Sequence, residues 1–101
     1  MIRGTTTLNV FNTDIDLRGA RVYVSYSQGG KVVVDKTNED IVINENNIEV
    51  PLEQADTLAL QDNIIVKIQM RYVRDNGVAG ASNIITTHAG EILKGGVINY
   101  E

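Results

Sequence analysis

The sequence predicts an all-β fold of short antiparallel strands. Three observations carry that expectation: apolar and polar residues alternate with a period of two, the alternating runs end in turn formers, and β-branched residues fill them. The alternation is clearest in Ile64–Val73, read Ile-Ile-Val-Lys-Ile-Gln-Met-Arg-Tyr-Val. Val66, Ile68, Met70 and Tyr72 fall on one face of a strand, and Lys67, Gln69, Arg71 and Val73 on the other. Asp75-Asn76-Gly77 then tolerates positive φ, so the chain reverses into a long central hairpin that ends near Asn83.

The other elements follow from the N-terminus. Thr5 to Phe11 is a strand, because threonines lead into Leu8 and Val10. Asn12 to Gly19 is turn-rich. In Ala20 to Ser27, Ala20, Val22, Val24 and Tyr26 share one face, and Arg21, Tyr23, Ser25 and Ser27 share the other. Gln28-Gly29-Gly30 closes a hairpin onto a third strand, Lys31 to Thr37. There the run Val32-Val33-Val34 hides the register, and the inward face stays open.

Ile41-Val42-Ile43 and Ile48-Glu49-Val50 flank an asparagine-rich turn and form a second short hairpin. Pro51 is expected to end that pairing, since it has no N–H to give. Leu52 to Leu60 has helical character around Glu53–Asp56, with Leu52, Leu58 and Leu60 toward the core, and would carry the chain between sheets. Asn83 to Thr87 is the last strand, and residues 90–101 form a C-terminal tail to a single domain spanning 1–101. About seven strands with one helical crossover fit an antiparallel β-sandwich of immunoglobulin or fibronectin type III kind. A small barrel is the alternative. The cysteine–tryptophan core of antibody domains is missing, so the architecture alone is implied.

A length of 101 residues suits one domain. A hydrophobic content of 43% is ordinary for a globular chain and too high for disorder. No apolar run approaches the ~20 residues of a bilayer span, and Met1–Thr5 has no apolar core of a secretory signal. No membrane partner is therefore expected. The lack of cysteine excludes disulfides, thiolate zinc sites and thiol catalysis. The net charge of −4 is unevenly spread: residues 35–62 hold eight acids against Lys36, whereas 1–34 carry +2 and 63–101 carry +1. The plain reading is a solvated acidic edge. The sharper one is a dipolar module that meets copies of itself in a fixed orientation. Phosphate binding needs a basic stripe that the sequence lacks, so no nucleic-acid partner is expected.

Chemistry-bearing residues are sparse. Asp14-Ile15-Asp16-Leu17 has the Asp-x-Asp start of a calcium loop, but neither the later glycine nor the closing glutamate. His88 is the only histidine, and a general base needs a converging acid and nucleophile. Glu39 and Asp40 are neighbours on a turn and splay apart. No catalytic residue, cofactor or metal is expected, and the protein is read as not an enzyme. Tyr23, Tyr26, Tyr72 and Tyr100 leave open a small ligand- or glycan-binding module, with the rings stacking on sugar. The tail residues Ile92, Leu93, Val97, Ile98 and Tyr100 are the candidate interface, since glycines interrupt them and they should not order themselves: the tail either folds back to cover its own sandwich or reaches a neighbouring subunit.

Four stretches span most of the chain: Met1–Thr6, Val22–Lys36, Val66–Arg71 followed by Ala81–Thr86, and Ile92–Ile98. Together they resemble small prophage-encoded proteins of Gram-positive bacteria found near virion structural genes. At His88-Ala89-Gly90 the chain departs from the β-branched pattern, which leaves the length of the last strand open. The resemblance implies a non-enzymatic phage structural or assembly protein. Its partners would be copies of itself or other virion proteins. It would be made in the bacterial host cytoplasm during assembly and be able to enter the virion.

Overall fold

A computed structural model describes residues 1–100. They form eight strands and one helix: β1 (Thr7–Asn12), β2 (Arg21–Gln28), β3 (Lys31–Lys36), β4 (Val42–Ile43), β5 (Asn47–Leu52), α1 (Gln54–Ala59), β6 (Ile65–Val73), β7 (Ala79–Ala81) and β8 (Ile85–His88). The fold is all-β, in two antiparallel sheets. One has three strands in the order β1-β5-β4. The other has the order β3-β2-β6, with both β7 and β8 paired to the far side of β6.

The longest ladder joins β2 to β6, running from Arg21 opposite Val73 to Ser27 opposite Lys67. Its register puts Val22, Val24 and Tyr26 on the same face as Met70, Ile68 and Val66, and all six are buried. The three-stranded sheet answers with Phe11, Ile48, Val50 and Leu52. Two apolar faces, each built from alternate residues, thus close over one core. One polar contact crosses it. Tyr26 is fully buried, and Asn9 Nδ2 on β1 donates to its hydroxyl at 2.6 Å. Burial pushes the Tyr26 phenol above its usual range, the Asn9 bond opposes that, and the Asp56 charge adds to it.

The connections are held by side chains. Gly29 and Gly30 both take positive φ, as a two-residue hairpin turn between β2 and β3 requires. Just before them, buried Gln28 reaches the loop that enters β6: its amide donates to the carbonyls of Gln61 and Ile64 and accepts the Gln61 N–H. The α1 segment carries the chain from one sheet to the other, with Leu52 and Leu60 buried at its two ends. Lys36 on β3 and Asp56 on α1 form a largely shielded ion pair at 2.8 Å. The fully buried Thr57 donates its hydroxyl to the Thr5 carbonyl at 2.8 Å.

Three expectations need correction or completion. The structure has eight strands where about seven are expected, because the last edge strand is broken at Ser82. The Ser82 hydroxyl, in place of a backbone carbonyl, accepts the Met70 N–H at 3.0 Å, and pairing resumes only at Ile85. Pro51 does not end β5; it pairs with Leu8 inside the strand. The short β4 reaches only Ile48 and Glu49, so beside Pro51 that flank of β5 has no ladder needing an N–H. The valine run is ordered by a register shift between Tyr26 and Ser27, which turns Val34 inward and leaves Val32 outward.

Ile68 lies in the middle of the core, opposite Tyr26. Ile68→Ala should lower the unfolding free energy by about 2–5 kcal/mol, measured by urea denaturation. An unchanged midpoint would place Ile68 outside the core.

Candidate interaction surface

The tail residues named by the sequence do not behave alike. Ile92 is half-buried, and its Cδ1 stands 3.2 Å from where a Gly4 Cβ would be, with the Leu58 side chain at 3.4 Å. Further along, Gln54 at the start of α1 grips the Ile98 backbone in both directions. Its Nε2 donates to the Ile98 carbonyl and its Oε1 accepts the Ile98 N–H, each at 2.9 Å. An amide side chain here supplies the two bonds that a neighbouring strand would give. The tail therefore folds back on the domain at two points, beside Gly4 and at Gln54 of α1. Between and beyond them, Leu93 and Tyr100 are fully exposed, and the side chains of Val97 and Ile98 are about half exposed.

The base of the tail is tied to the N-terminus. Ile2 forms a parallel bridge with Gly90. Arg3 N–H donates to the Gly90 carbonyl at 3.1 Å, and Gly90 N–H donates to Met1 at 2.6 Å.

The outer faces of the two sheets differ in charge. On the five-stranded sheet the β2–β6 register turns Arg21, Tyr23, Lys67, Arg71 and Val73 outward, beside Val32 and Ile65, with Asp35 the one acid on these strands' outer face. On the three-stranded sheet, Leu8, Val10, Val42 and Pro51 surround Glu49. No base occurs on β1, β4 or β5, while Glu45 and Glu53 lie just beyond the ends of β5. Sequence reading located the acidic segment. Of its acids, Glu49 alone sits on the outer face of the three-stranded sheet, with Glu45 in the turn before β5, while β2 and β6 gather bases on the other side. The signal was present in the alternation, since Arg21, Lys67 and Arg71 all fall on the polar phase of their strands.

His88 is exposed at the end of β8, opposite Ile65, and its carbonyl accepts the N-terminal ammonium at 3.0 Å. Two surface depressions of about 420 and 450 Å³ flank Ile64 and the β2–β3 turn; Lys31 lines the first and Lys67 the second. Among the described residues, no three histidine or acidic side chains gather as metal ligands, and no helix is long and apolar enough to cross a membrane. Of the strand tyrosines, Tyr26 is buried and the side chain of Tyr72 lies against Gly80, where a Cβ would collide with its hydroxyl and ring. Tyr23 alone of these three stands out from a sheet.

The Asp-x-Asp segment is occupied by an ion pair. Arg18 Nε donates to both carboxylate oxygens of Asp16 at 3.0 and 2.9 Å. These side-chain bonds, then the Arg18 backbone N–H, then the charges of Arg18 and Arg74, lower the Asp16 pKa to about 2.

No family model, curated protein or solved structure matches the chain.

Two outcomes follow. The Asp16 carboxyl should titrate near pH 2 by NMR, and Arg18→Ala should return it toward the ordinary value of about 3.9. Because the folded pKa lies below the unfolded one, the pair's contribution to stability is present above about pH 4 and fades as pH falls toward 2. Gln54→Ala should release the end of the tail, seen as faster amide exchange at Ile98 with only a small shift in melting temperature. Unchanged exchange would mean that the grip does not hold the tail.

Proposed function

We propose that this is a non-enzymatic phage or prophage structural or assembly protein that acts through protein–protein contacts. The observation that carries the reading is the tail. It is anchored through Ile92 and Ile98 while Leu93 and Tyr100 point into solvent. Holding apolar side chains outward from a fixed backbone spares a partner much of the ordering cost. Exposed apolar groups so placed mark interaction sites. The sequence resemblance to small prophage proteins supports the same reading.

The immunoglobulin-like reading of the fold is also a proposal, and the strand order supports it. Taking β1 as strand B, the sheets become B-E-D and C′-C-F-G, with β7 and β8 sharing the G position and α1 on the E–F crossover. Strand A is then the missing member, and the outer edge of β1 stays unpaired.

A ligand- or glycan-binding module needs an aromatic platform. The burial of Tyr26 and the placement of Tyr72 against Gly80 count against it.

Light scattering across protein concentration tests the assembly reading. The intact chain should gain mass as concentration rises, and removal of residues 91–101 should weaken that gain while the melting temperature stays nearly constant. Equal association with and without the tail would remove the tail from the contact. An intact chain that stays monomeric at every concentration would exclude self-association.

A further inference from the structure

We propose that copies of this chain stack face to face, the basic outer face of the five-stranded sheet of one copy lying on the acidic outer face of the three-stranded sheet of the next. The proposal rests on the assembly reading above and names the partner: a second copy, met through the sheets and independently of the tail.

Charge complementarity selects that partner. Arg21, Lys67 and Arg71 project from one side of the sandwich and Glu49 from the other, with Glu45 in the turn before β5. The two sheets pack through their inner faces, so these outer faces point in opposite directions. Like faces repel when two copies meet, and unlike faces attract. Each face also carries half-exposed apolar side chains able to leave water in the contact: Leu8, Val10 and Val42 on one, Tyr23, Ile65 and Val73 on the other.

Because the two surfaces differ, the contact is heterologous. Repeating it gives a ring if the rotation closes and an open stack if it does not. A three-stranded face is small, roughly 15 by 20 Å from strand spacing and rise. Each contact therefore belongs with weak, transient interfaces, and repetition supplies the strength.

Sedimentation velocity of the full chain over a range of concentration and salt tests this. Two charge-reversed variants are compared with it, Lys67→Glu/Arg71→Glu and Glu45→Lys/Glu49→Lys, each checked for native circular dichroism and melting temperature. Should a reversal unfold the domain, the neutral Lys67→Gln/Arg71→Gln form replaces it. Each variant alone should associate more weakly, by on the order of tenfold. Salt near 1 M, where screening acts over ~3 Å, should weaken the unmodified chain in the same way. An equimolar mixture of the two reversed variants should recover association, since each then offers the face that the other needs.

Variants that associate as well as the unmodified chain, or a mixture that fails to recover, would overturn stacking. The assembly reading would then stand on the tail alone, through the truncation described above. An unmodified chain that never associates would overturn stacking together with self-association.

Discussion

The bond between Asn9 and the Tyr26 hydroxyl is the constraint that the sandwich is built around. A phenol in the middle of an apolar core is costly unless its oxygen is satisfied. The partner that satisfies it belongs to the opposite sheet. The two sheets are thereby fixed in sliding register as well as in spacing, which apolar contact alone would leave loose. The strand that carries Tyr26 also carries Gln28, so the same β2 backbone sets the loop from which β6 starts. A shift of β2 by one residue would bury Ser25 and Ser27, and it would take Tyr26 away from Asn9 and Gln28 away from its loop.

With the sheets locked, α1 and the chain ends are arranged around them by polar side chains. Lys36 with Asp56 and Thr57 with the Thr5 carbonyl hold α1 at the end of the sandwich. Gln54 then holds the returning tail. Thr57 is fully buried, whereas the Gln54 bonds to the tail are exposed, where removing a partner costs less than it would beside Tyr26. The domain thus grades from a rigid centre to an adaptable rim, and the proposed contacts draw on its outer parts.

What the sequence made legible was the part governed by strict alternation. Residues 66–72 and 20–26 gave their inward faces directly, because one face of each is buried and the side-chain period is two. The crossover from one sheet to the other was also readable, from Leu52 and Leu60; Leu58, expected toward the core with them, is only half-buried, and Thr57 takes the buried position on the helix. Three apolar residues in a row defeated the register of β3, since the bulge opposite Tyr26 and Ser27 depends on how two strands meet. Pro51 was misread because its tolerance depends on the length of β4, a neighbour's property. The apolar character of the tail and its choice between folding back and docking were plain, but the groups that hold it were not. Gln54 and Gln28 are unremarkable polar residues until the backbone groups they meet are placed in space. The charge segregation was half visible: the acidic run showed in the sequence, while the basic face is assembled from two strands far apart in the chain.

The break at Ser82 bears on how association can proceed without becoming irreversible. A continuous ten-residue edge would offer a long row of free donors and acceptors to any passing strand. Instead β7 and β8 present runs of three and four residues, separated by the three residues 82–84, of which Ser82 turns one ladder bond over to its side chain. Fibril growth draws on uninterrupted segments of about six or seven residues, and neither piece is that long. The molecule can then bring faces and a tail into repeated contact while withholding this edge from strand-by-strand zippering. An assembly formed in that way stays open to correction, because a misplaced copy can leave.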